Sequence, residues 1–199
     1  RRSEIITKVI SGTGDVVQKV GEYTFTLPPT AFWQAHHQAL STYSDLITQW
    51  VTGGQYGVEP VGWDLYGGVG ALVPALHHAL GNNSHIHSVE SARIMATSGQ
   101  VTFGDNVHFH IGLVGNLVDT LPQPDVVVLD PPRVGAGADV VTRIAARKPQ
   151  RVIHIGCDPA TFATDIRAWS QAGYHLSDIV VVNAFPGTHH FETLGLLQP

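Results

Sequence analysis

The stretch Val61-Gly62-Trp63-Asp64-Leu65-Tyr66-Gly67-Gly68-Val69-Gly70 decides the fold. An apolar strand runs into three closely spaced glycines, and a helical pattern follows. Glycines at such a turn let a ligand approach the backbone closely, and a helix N-terminus favours negative charge. The spacing is not G-x-G-x-x-G, and Asp64 precedes the glycines. The stretch therefore predicts a ligand loop at a strand end, with a tight turn that holds no ligand as the alternative.

Around this loop, apolar runs alternate with helical stretches from residue 60 onward. The alternation predicts an α/β fold with a mostly parallel seven-stranded sheet and helices on both faces. The last two strands are joined by a loop, so the last strand can enter antiparallel. The predicted strands are Val61–Leu65, His85–Val89, Val107–Ile111, Val126–Leu129, Arg151–Ile155, Leu176–Val182 and Phe191–Leu197.

The first 55 residues have a different pattern. Short β-like runs occupy Ile5–Ile10, Val16–Val20 and Tyr23–Leu27, with glycine-containing turns between them. Pro28-Pro29 ends this pattern, and Thr30 is placed to cap a helix over residues 31–52. The region is expected to pack against the α/β unit as a separate layer.

Composition narrows the class of protein. The 199 residues carry a net charge of −5, which argues against a free-standing, charge-driven nucleic-acid binder. One cysteine excludes an internal disulfide and a four-cysteine metal site within this chain. There is no signal peptide and no apolar run long enough to cross a membrane, so we expect a soluble, cytoplasmic chain. The only methionine is Met95, which suggests a piece of a longer or processed protein.

Two acidic groups and a proline turn follow predicted strands. Glu90 ends the strand after the glycine loop, where a carboxylate suits a ribose diol. Asp130-Pro131-Pro132-Arg133 follows an apolar strand and puts a carboxylate and a rigid turn at the carboxyl edge of the sheet. The alternative for the second motif is a plain strand-ending turn.

The remaining candidates lie near the C-terminus. Cys157 ends a strand and precedes a helix, whose N-terminus is expected to lower the thiol pKa toward the reactive range. A lone cysteine is otherwise a buried packing group. Phe185–Glu192 supplies imidazoles and a carboxylate as proton carriers, with a solvated hairpin loop as the alternative.

The twelve histidines are mostly paired and do not indicate a metal site. None forms His-Glu-x-x-His, and no cysteine accompanies them, so we predict surface and loop histidines and no bound metal. The pairs are His36-His37, His77-His78, His85/His87, His108/His110 and His189-His190.

Taken together, these motifs resemble the RNA (uracil-5-)-methyltransferases that use S-adenosylmethionine. The resemblance runs from about Gly21 to Leu197, in the order of the family's motifs. Phe32-Trp33-Gln34 resembles the family's Phe-x-Gln element, and the loop from Asp64 through Gly70 resembles its Asp-Leu-Tyr-x-Gly-x-Gly loop. Residues Asp130 through Arg133 match its Asp-Pro-Pro-Arg element. Residues Gly156 through Pro159 resemble its Ser-Cys-Asn-Pro element, and residues Thr188 through Glu192 resemble its Thr-x-His-x-Glu element.

The resemblance implies a class I methyltransferase (Rossmann-like) fold and a role for each site residue. Cys157 is the nucleophile, Glu192 the base, and Asp130 lies at both the reacting centre and the cofactor. Arg133, Pro131 and His189 face the substrate. The cofactor is S-adenosylmethionine, held by Gln34, Asp64, Tyr66, Gly67, Gly68, Gly70, Glu90 and Asp130.

The resemblance also implies a domain organisation and a partner. Residues 1–20 are the end of an upstream β-rich domain, and residues 21–199 are the catalytic domain. The substrate is transfer or ribosomal RNA. Some members of the family carry an iron–sulfur cluster on upstream cysteines, and this chain, whose one cysteine is Cys157, has none of these to offer. The chain departs from the family at His36, where an asparagine is usual, and around Gly112-Leu113, which lacks the acid that often faces adenine.

Three other functions are compatible with parts of the sequence. A nicotinamide-dependent oxidoreductase explains the glycine loop and Glu90 but leaves Cys157 without a role. A catalytically silent cofactor-binding or RNA-scaffold module has no need for Cys157 and Glu192. A methyltransferase acting on an exocyclic amine needs no nucleophilic cysteine, and cytosine enzymes usually carry Pro-Cys rather than the Cys-x-Pro order at Cys157.

Overall fold

The computed structural model describes residues 8–188 and 190–199. A short 3₁₀ turn at Gly104–Asn106 follows the third helix. In chain order the strands and helices are β1 (Val16–Val20), β2 (Tyr23–Leu27), α1 (Ala39–Val51), β3 (Val61–Leu65), α2 (Val73–Leu80), β4 (His85–Glu90), α3 (Arg93–Phe103), β5 (Val107–Ile111), α4 (Val114–Leu117), β6 (Val126–Leu129), α5 (Ala138–Ala146), β7 (Arg151–Gly156), α6 (Pro159–Gln171), β8 (His175–Val182) and β9 (Glu192–Gln198).

Seven strands form one sheet in the order β5-β4-β3-β6-β7-β9-β8. The five strands β3 to β7 run parallel, whereas β9 is antiparallel to both β7 and β8. This confirms the predicted α/β fold and its antiparallel last strand. The chain moves outward from β3 to β5 and returns on the other side of β3 as β6. The carboxyl ends of β3 and β6 therefore border a topological switch point, where α/β proteins bind ligands.

The sheet is buried between two apolar layers. Val126 and Val128 of β6 belong to the layer that contains α1, α2 and α3, and Val127 and Leu129 belong to the layer with α5 and α6. All four side chains are fully buried. Strands covered on both faces are encoded by continuous apolar runs, which explains why the sequence located them well.

The predicted start of the first helix is wrong. The helix begins at Ala39 rather than at residue 31, and residues 31–38 form a loop. In this loop the Trp33 ring packs 5.9 Å from the Phe25 ring, and the Gln34 amide reaches Asp130. These tertiary contacts override the local helical preference.

Strands β1 and β2 form a separate hairpin against α3. Phe25 is fully buried in the core, and Ser98 Oγ of α3 donates a 2.7 Å hydrogen bond to the Thr26 carbonyl. The proposed division at residue 20 falls in the turn of this hairpin and stays a prediction. The strand predicted at Ile5–Ile10 lies partly outside the described residues, and residues 8–10 are not in a strand.

The prediction that the histidines are all surface or loop residues is wrong for two of them. His154 is 1% exposed, and His87 is 9% exposed with its Nδ1 3.0 Å from Nε2 of His110. Burial, followed by the charges of His108 and His110, lowers the pKa of His87 to about 4. Across residues 8–188 and 190–199 no group of three or more His, Cys, Asp or Glu side chains could hold a metal ion. In the same ranges, no helix has the length and apolar character needed to span a membrane.

Candidate functional site

The glycine loop after β3 is closely packed against its own carboxylate. A Cβ atom on Gly67 would lie 2.1 Å from Asp64 Oδ2, so only glycine fits at this position. Tyr66 adopts a φ of 60°, a left-handed conformation that costs a non-glycine residue of order 1–3 kcal/mol. Strained backbone of this kind concentrates at ligand sites. The loop is therefore built for backbone contact with a ligand.

Asp64 is a buried carboxylate at the base of this loop. It is 2% exposed and accepts a 3.0 Å hydrogen bond from Ser88 Oγ on the neighbouring strand β4. Burial raises its pKa to about 7, with the Ser88 hydroxyl opposing the shift and Glu90 adding to it. A cation beside Asp64 would favour the ionised form.

Glu90 organises the loop from the end of β4. Its carboxylate accepts backbone hydrogen bonds from Gly68 N at 3.0 Å and Ala92 N at 2.5 Å. The Ser91 hydroxyl donates a third hydrogen bond of 3.2 Å. Glu90 thus joins the glycine loop to the start of α3, and its oxygens keep lone pairs for further donors.

Asp130 lies at the end of β6, directly across the switch point from the glycine loop. Gln34 Nε2 donates a 2.9 Å hydrogen bond to Asp130 Oδ2, which brings the loop before α1 to the sheet edge. Burial, together with the charges of Glu192 and Asp64, raises the pKa of Asp130 to about 7, and the hydrogen bond from Gln34 opposes this shift. The carboxylate therefore lies within electrostatic reach of both the glycine loop and β9.

Cys157 and Glu192 meet through the pairing of β7 with β9. Gly156 pairs with Thr193 in the antiparallel ladder. Cys157 follows Gly156 and Glu192 precedes Thr193, so the register places Cys157 beside Glu192. Residues opposite one another in such a ladder have Cβ atoms roughly 4.5–5.5 Å apart. Glu192 is 6% exposed, and burial raises its pKa. The register brings a thiol and a buried carboxyl to one point of the sheet edge.

The expectation of a lowered thiol pKa is not met. Burial raises the pKa of Cys157, and the charges of Glu192 and Asp130 add to the rise, against smaller opposing effects of its own backbone and Arg133. The Asp158 carboxylate caps α6 by accepting from Ala160 N at 3.1 Å and Thr161 N at 3.0 Å.

Of the three residues expected to face substrate, Arg133 lies within electrostatic reach of Cys157. Pro131 is buried, and Arg133 is exposed with its guanidinium 3.5 Å from Nδ1 of His190. His189 lies outside the described residues. The Asp-Pro-Pro-Arg turn and the loop before β9 therefore approach one another at the same edge as Cys157.

Six of the eight residues predicted to hold the cofactor line one cavity: Gln34, Asp64, Tyr66, Gly67, Gly68 and Asp130. Glu90 lies behind the loop, bonded to it, and Gly70 packs against the Phe109 and Phe103 rings rather than the cavity. The cavity measures about 60 Å³, below the roughly 300–1,000 Å³ of most ligand pockets. One wall is the loop that carries Gln34 and the 70% exposed Phe32.

A larger groove lies elsewhere on the molecule. It measures about 930 Å³ and runs between the β1–β2 hairpin and α3, lined by Asp15, Glu22 and Arg93 among others. None of the candidate catalytic residues lines it. Its size reflects the open angle between hairpin and helix, and the chemistry is concentrated at the smaller cavity.

The profile of the tRNA (uracil-5-)-methyltransferase family matches residues 83–199, which is more than half of the chain. The chain belongs to this family. Uncharacterised RNA methyltransferases of Corynebacterium glutamicum and Thermotoga maritima are 51% and 31% identical to it, over 98% and 94% of its length. The alignments cover 48% and 42% of those proteins, so the chain spans about half the length of the curated relatives it matches.

Solved structures agree on the fold of this family member. The tRNA (uracil-54, C5)-methyltransferase of Pyrococcus abyssi, in complex with S-adenosyl-L-homocysteine, superposes with a TM-score of 0.76. It is 22% identical, and the match covers 94% of this chain and 45% of that one. TYW2 of M. jannaschii, in complex with AdoMet, superposes with a TM-score of 0.66 at 12% identity, over 96% of this chain and 90% of that one. The fold is that of class I methyltransferases, as predicted.

Several site residues of this methyltransferase-family chain were missed by sequence reasoning. Met95, Leu40 and Trp33 line the cavity, and Ser88 holds Asp64. Tyr43 of α1 is fully buried, and its hydroxyl has no hydrogen-bond partner among the described residues. Its pKa is raised by burial and then by the charges of Glu192 and Asp130. An apolar helix face gives no local signal for such a position, because the same pattern describes ordinary core residues.

Proposed function

We propose that this chain is the catalytic domain of an enzyme that methylates carbon 5 of a uridine in RNA through a covalent bond to Cys157. One observation carries the proposal. The β7–β9 register places the Cys157 thiol beside the buried Glu192 carboxyl, and both lie within electrostatic reach of Asp130, which lines the glycine-loop cavity. A nucleophile, a proton acceptor and a ligand cavity thus share one sheet edge.

The cofactor of this methyltransferase family is S-adenosylmethionine, and the cavity suits its chemistry. Asp64 and Asp130 both have pKa values raised to about 7 by burial, so both are stabilised by a cationic ligand. Glu90, bonded to Gly68, provides acceptor oxygens of the kind that bind a ribose diol. When bound, the cofactor supplies an electrophilic methyl group on a positively charged sulfur.

Cys157 is the residue that activates the uracil ring for methylation. Carbon 5 of uracil is a weak nucleophile, and addition of the Cys157 thiolate to carbon 6 makes it enolate-like. Because the pKa of the thiol is raised, deprotonation needs help from the site. The cation of Arg133 is one source, since its charge favours the thiolate.

Glu192 is the base that completes the reaction. After carbon 5 has received the methyl group, the Glu192 carboxylate removes the proton from that carbon, and the electron pair expels the Cys157 sulfur from carbon 6. The burial that raises the pKa of Glu192 makes it a better proton acceptor near neutral pH. Asp130 lies between the two ligands, where its carboxyl can contact both the edge of the uracil ring and the cofactor.

The target uridine has to leave its base stack to reach Cys157. Arg133 is exposed beside the thiol and is placed to polarise a uracil carbonyl. The net charge of −5 leaves most of the RNA backbone recognition to the rest of a longer protein. Transfer or ribosomal RNA is the expected substrate, and a cytoplasmic location stays a prediction.

The other functions fit less well. Family membership favours methyl transfer over the oxidoreductase, which has no use for Cys157. A silent module has no need for a thiol and a buried carboxyl held in register.

Cofactor binding is the first test, because it needs only this chain. Titration calorimetry with S-adenosylhomocysteine is expected to show one site, and Gln34→Ala is expected to weaken it by roughly tenfold through loss of a hydrogen bond to Asp130. Gln171→Ala, at the exposed end of α6, is the matched control. No binding by the unmodified chain, or equal losses in both variants, would refute the cofactor site.

The reaction is tested with the whole protein that contains this chain. RNA carrying 5-fluorouridine is expected to form a stable adduct, because fluorine at carbon 5 cannot be removed as a proton. Mass spectrometry should place the adduct on Cys157, the only cysteine in this sequence. Normal methylation of unsubstituted RNA without any adduct would contradict the covalent route.

A further inference from the structure

The loop that carries Arg133 is exposed yet held by several bonds from one helix. Residues 132–134 are exposed, and Val134 reaches 81%. Thr161 Oγ1 of α6 donates a 3.0 Å hydrogen bond to the Arg133 carbonyl. An exposed loop with an apolar tip does not order itself by burial, so its rigidity has to come from such bonds.

Asp165 supplies the other end of this anchor. It is 2% exposed, and its two carboxylate oxygens accept backbone hydrogen bonds from Ala136 N at 2.7 Å and Gly137 N at 3.0 Å. Gly137 is the N-cap of α5 and has no capping side chain of its own. Asp165 therefore caps α5 from a neighbouring helix, where a negative charge is favourable.

The backbone is shaped to fit this carboxylate. Gly135 has a φ of 80°, and a Cβ atom there would lie 2.6 Å from Asp165 Oδ2. The loop passes so close to the carboxylate that only glycine is accommodated. The short turn is closed by a 2.8 Å hydrogen bond from Gly135 N to the Pro132 carbonyl.

A buried histidine orients Asp165 from behind. Trp169 Nε1 can only donate, and it donates a 3.0 Å hydrogen bond to Nδ1 of His154. The proton of the neutral imidazole is therefore on Nε2, which lies 3.4 Å from Asp165 Oδ2. No acceptor completes a hydrogen bond with Nε2 in the described residues, so this contact is electrostatic.

The ionised form of Asp165 is favoured despite its surroundings. Burial raises the pKa of Asp165, but the His154 contact and the two backbone N–H groups outweigh it and hold the pKa below its usual value. His154 lies in β7, three residues before Cys157, and Asp165 lies in the helix that follows it. The β7–α6 segment thus carries the nucleophile Cys157 and also holds the loop 131–137.

We propose that Asp165, held by His154 and Trp169, is a positioning residue that fixes the loop 131–137 so that Arg133 and Val134 face the RNA beside Cys157. This inference rests on the proposed methylation reaction and adds a residue to it. Asp165 touches neither substrate nor cofactor and acts through the backbone of the loop.

The decisive variant is Asp165→Asn, with Asp119→Asn as the matched control. An asparagine keeps the shape but replaces one acceptor oxygen with a donor, so one backbone N–H loses its partner. Asp119 is an exposed carboxylate that pairs with Arg143 on the far side of α5. Amide hydrogen exchange of residues 136 and 137 is expected to become about tenfold faster in Asp165→Asn only.

Kinetics of the whole protein test the consequence. Asp165→Asn is expected to lower kcat for RNA methylation by about tenfold to a hundredfold through misplacement of the loop, with KM for S-adenosylmethionine unchanged. S-adenosylhomocysteine affinity should stay within about twofold of the unmodified chain. Unchanged amide exchange, or a parallel loss of cofactor affinity and kcat, would overturn the positioning role.

A second variant covers the case in which Asp165→Asn does not fold. Thr161→Val removes the hydrogen bond from Thr161 Oγ1 to the Arg133 carbonyl and two local ones to Asp158, and it keeps the backbone hydrogen bonds by which Asp158 caps α6. It is expected to lower kcat by a smaller factor with the same unchanged KM. If amide hydrogen exchange shows that Asp165 orders the loop but the whole protein methylates no RNA, the proposed reaction is refuted and the role of Asp165 in ordering the loop is retained.

Discussion

The two halves of the sheet edge are built differently. In the cofactor half, formed by the ends of β3, β4 and β6, the carboxylates of Asp64, Glu90 and Asp130 accept hydrogen bonds from other described residues. In the substrate half, formed by the ends of β7 and β9, the carboxyl of Glu192 has no side-chain hydrogen bond to any described residue, and the thiol pKa of Cys157 is raised. The cofactor half is organised before a ligand binds, whereas the substrate half holds reactive groups in unfavourable surroundings.

The difference follows from the work that each half does. A binding site gains affinity when its acceptors are already oriented, because less ordering is left for the ligand to impose. A base needs a pKa close to the working pH, and burial shifts the pKa of Glu192 upward in that direction. Burial shifts the pKa of the Cys157 thiol away from it, so the charge of Arg133 has to favour the thiolate. Substitutions should therefore separate the two halves cleanly.

The largest effect is expected from Cys157→Ala. Without the sulfur, carbon 5 of uracil is not activated, so methylation by the whole protein should fall by roughly a thousandfold or more. S-adenosylhomocysteine affinity, measured by calorimetry, should be unchanged because the thiol belongs to the substrate half. Measurable turnover in this variant, with Cys157→Ser as its companion, would remove the nucleophile assignment.

Glu192→Gln is expected to have the next largest effect. An amide cannot accept the carbon 5 proton, so kcat should fall by roughly 10²–10⁴ and a covalent RNA adduct should accumulate. The adduct is detected as a shifted band on a denaturing gel. Glu59→Gln, at an exposed position, is the control. Normal turnover without an adduct would assign the base to another group.

A smaller effect is expected from pH on the cofactor half. Asp64 and Asp130 have pKa values raised to about 7, so both are largely protonated at lower pH and ionise as the pH rises. Because S-adenosylmethionine is cationic, its affinity should rise between about pH 6 and 8, by up to about tenfold per pH unit for each group that ionises.

The same two groups act on stability with the opposite sign. Their folded-state pKa values lie above those of the unfolded chain, so the ligand-free protein should lose stability as the pH rises from about 4 to about 7. Denaturant titrations at several pH values measure this. Asp64→Asn and Asp130→Asn should each flatten both profiles, and flat profiles in the unmodified chain would contradict the assignment.

The smallest effect is expected from Ser88→Ala. Loss of the hydroxyl removes the hydrogen bond that lowers the pKa of Asp64, so the pH midpoint of cofactor binding should shift upward. Affinity at neutral pH should weaken by less than about tenfold. Ser177→Ala, in the edge strand β8, serves as the control, and equal midpoints in the two variants would exclude the role of Ser88.

The pattern of apolar runs was sufficient to predict the sheet and to place the candidate site residues at the carboxyl ends of its strands. Val126–Leu129 and the other inner strands are continuous apolar runs because both faces of a parallel sheet are covered. Asp64, Asp130 and Cys157 directly follow or end such runs, and parallel strands bring their carboxyl ends together. Local pattern and chain topology were sufficient for these conclusions.

Only the tertiary structure decided how these groups behave. Residues 31–38 became a loop because Trp33 and Gln34 found partners 8 and 96 residues away. The thiol pKa of Cys157 is raised rather than lowered because the packing buries the thiol and brings the Glu192 and Asp130 carboxyls near it. Asp165 gained a role from backbone groups of a distant loop. Such contacts depend on where distant segments pack, and local sequence preferences do not encode that.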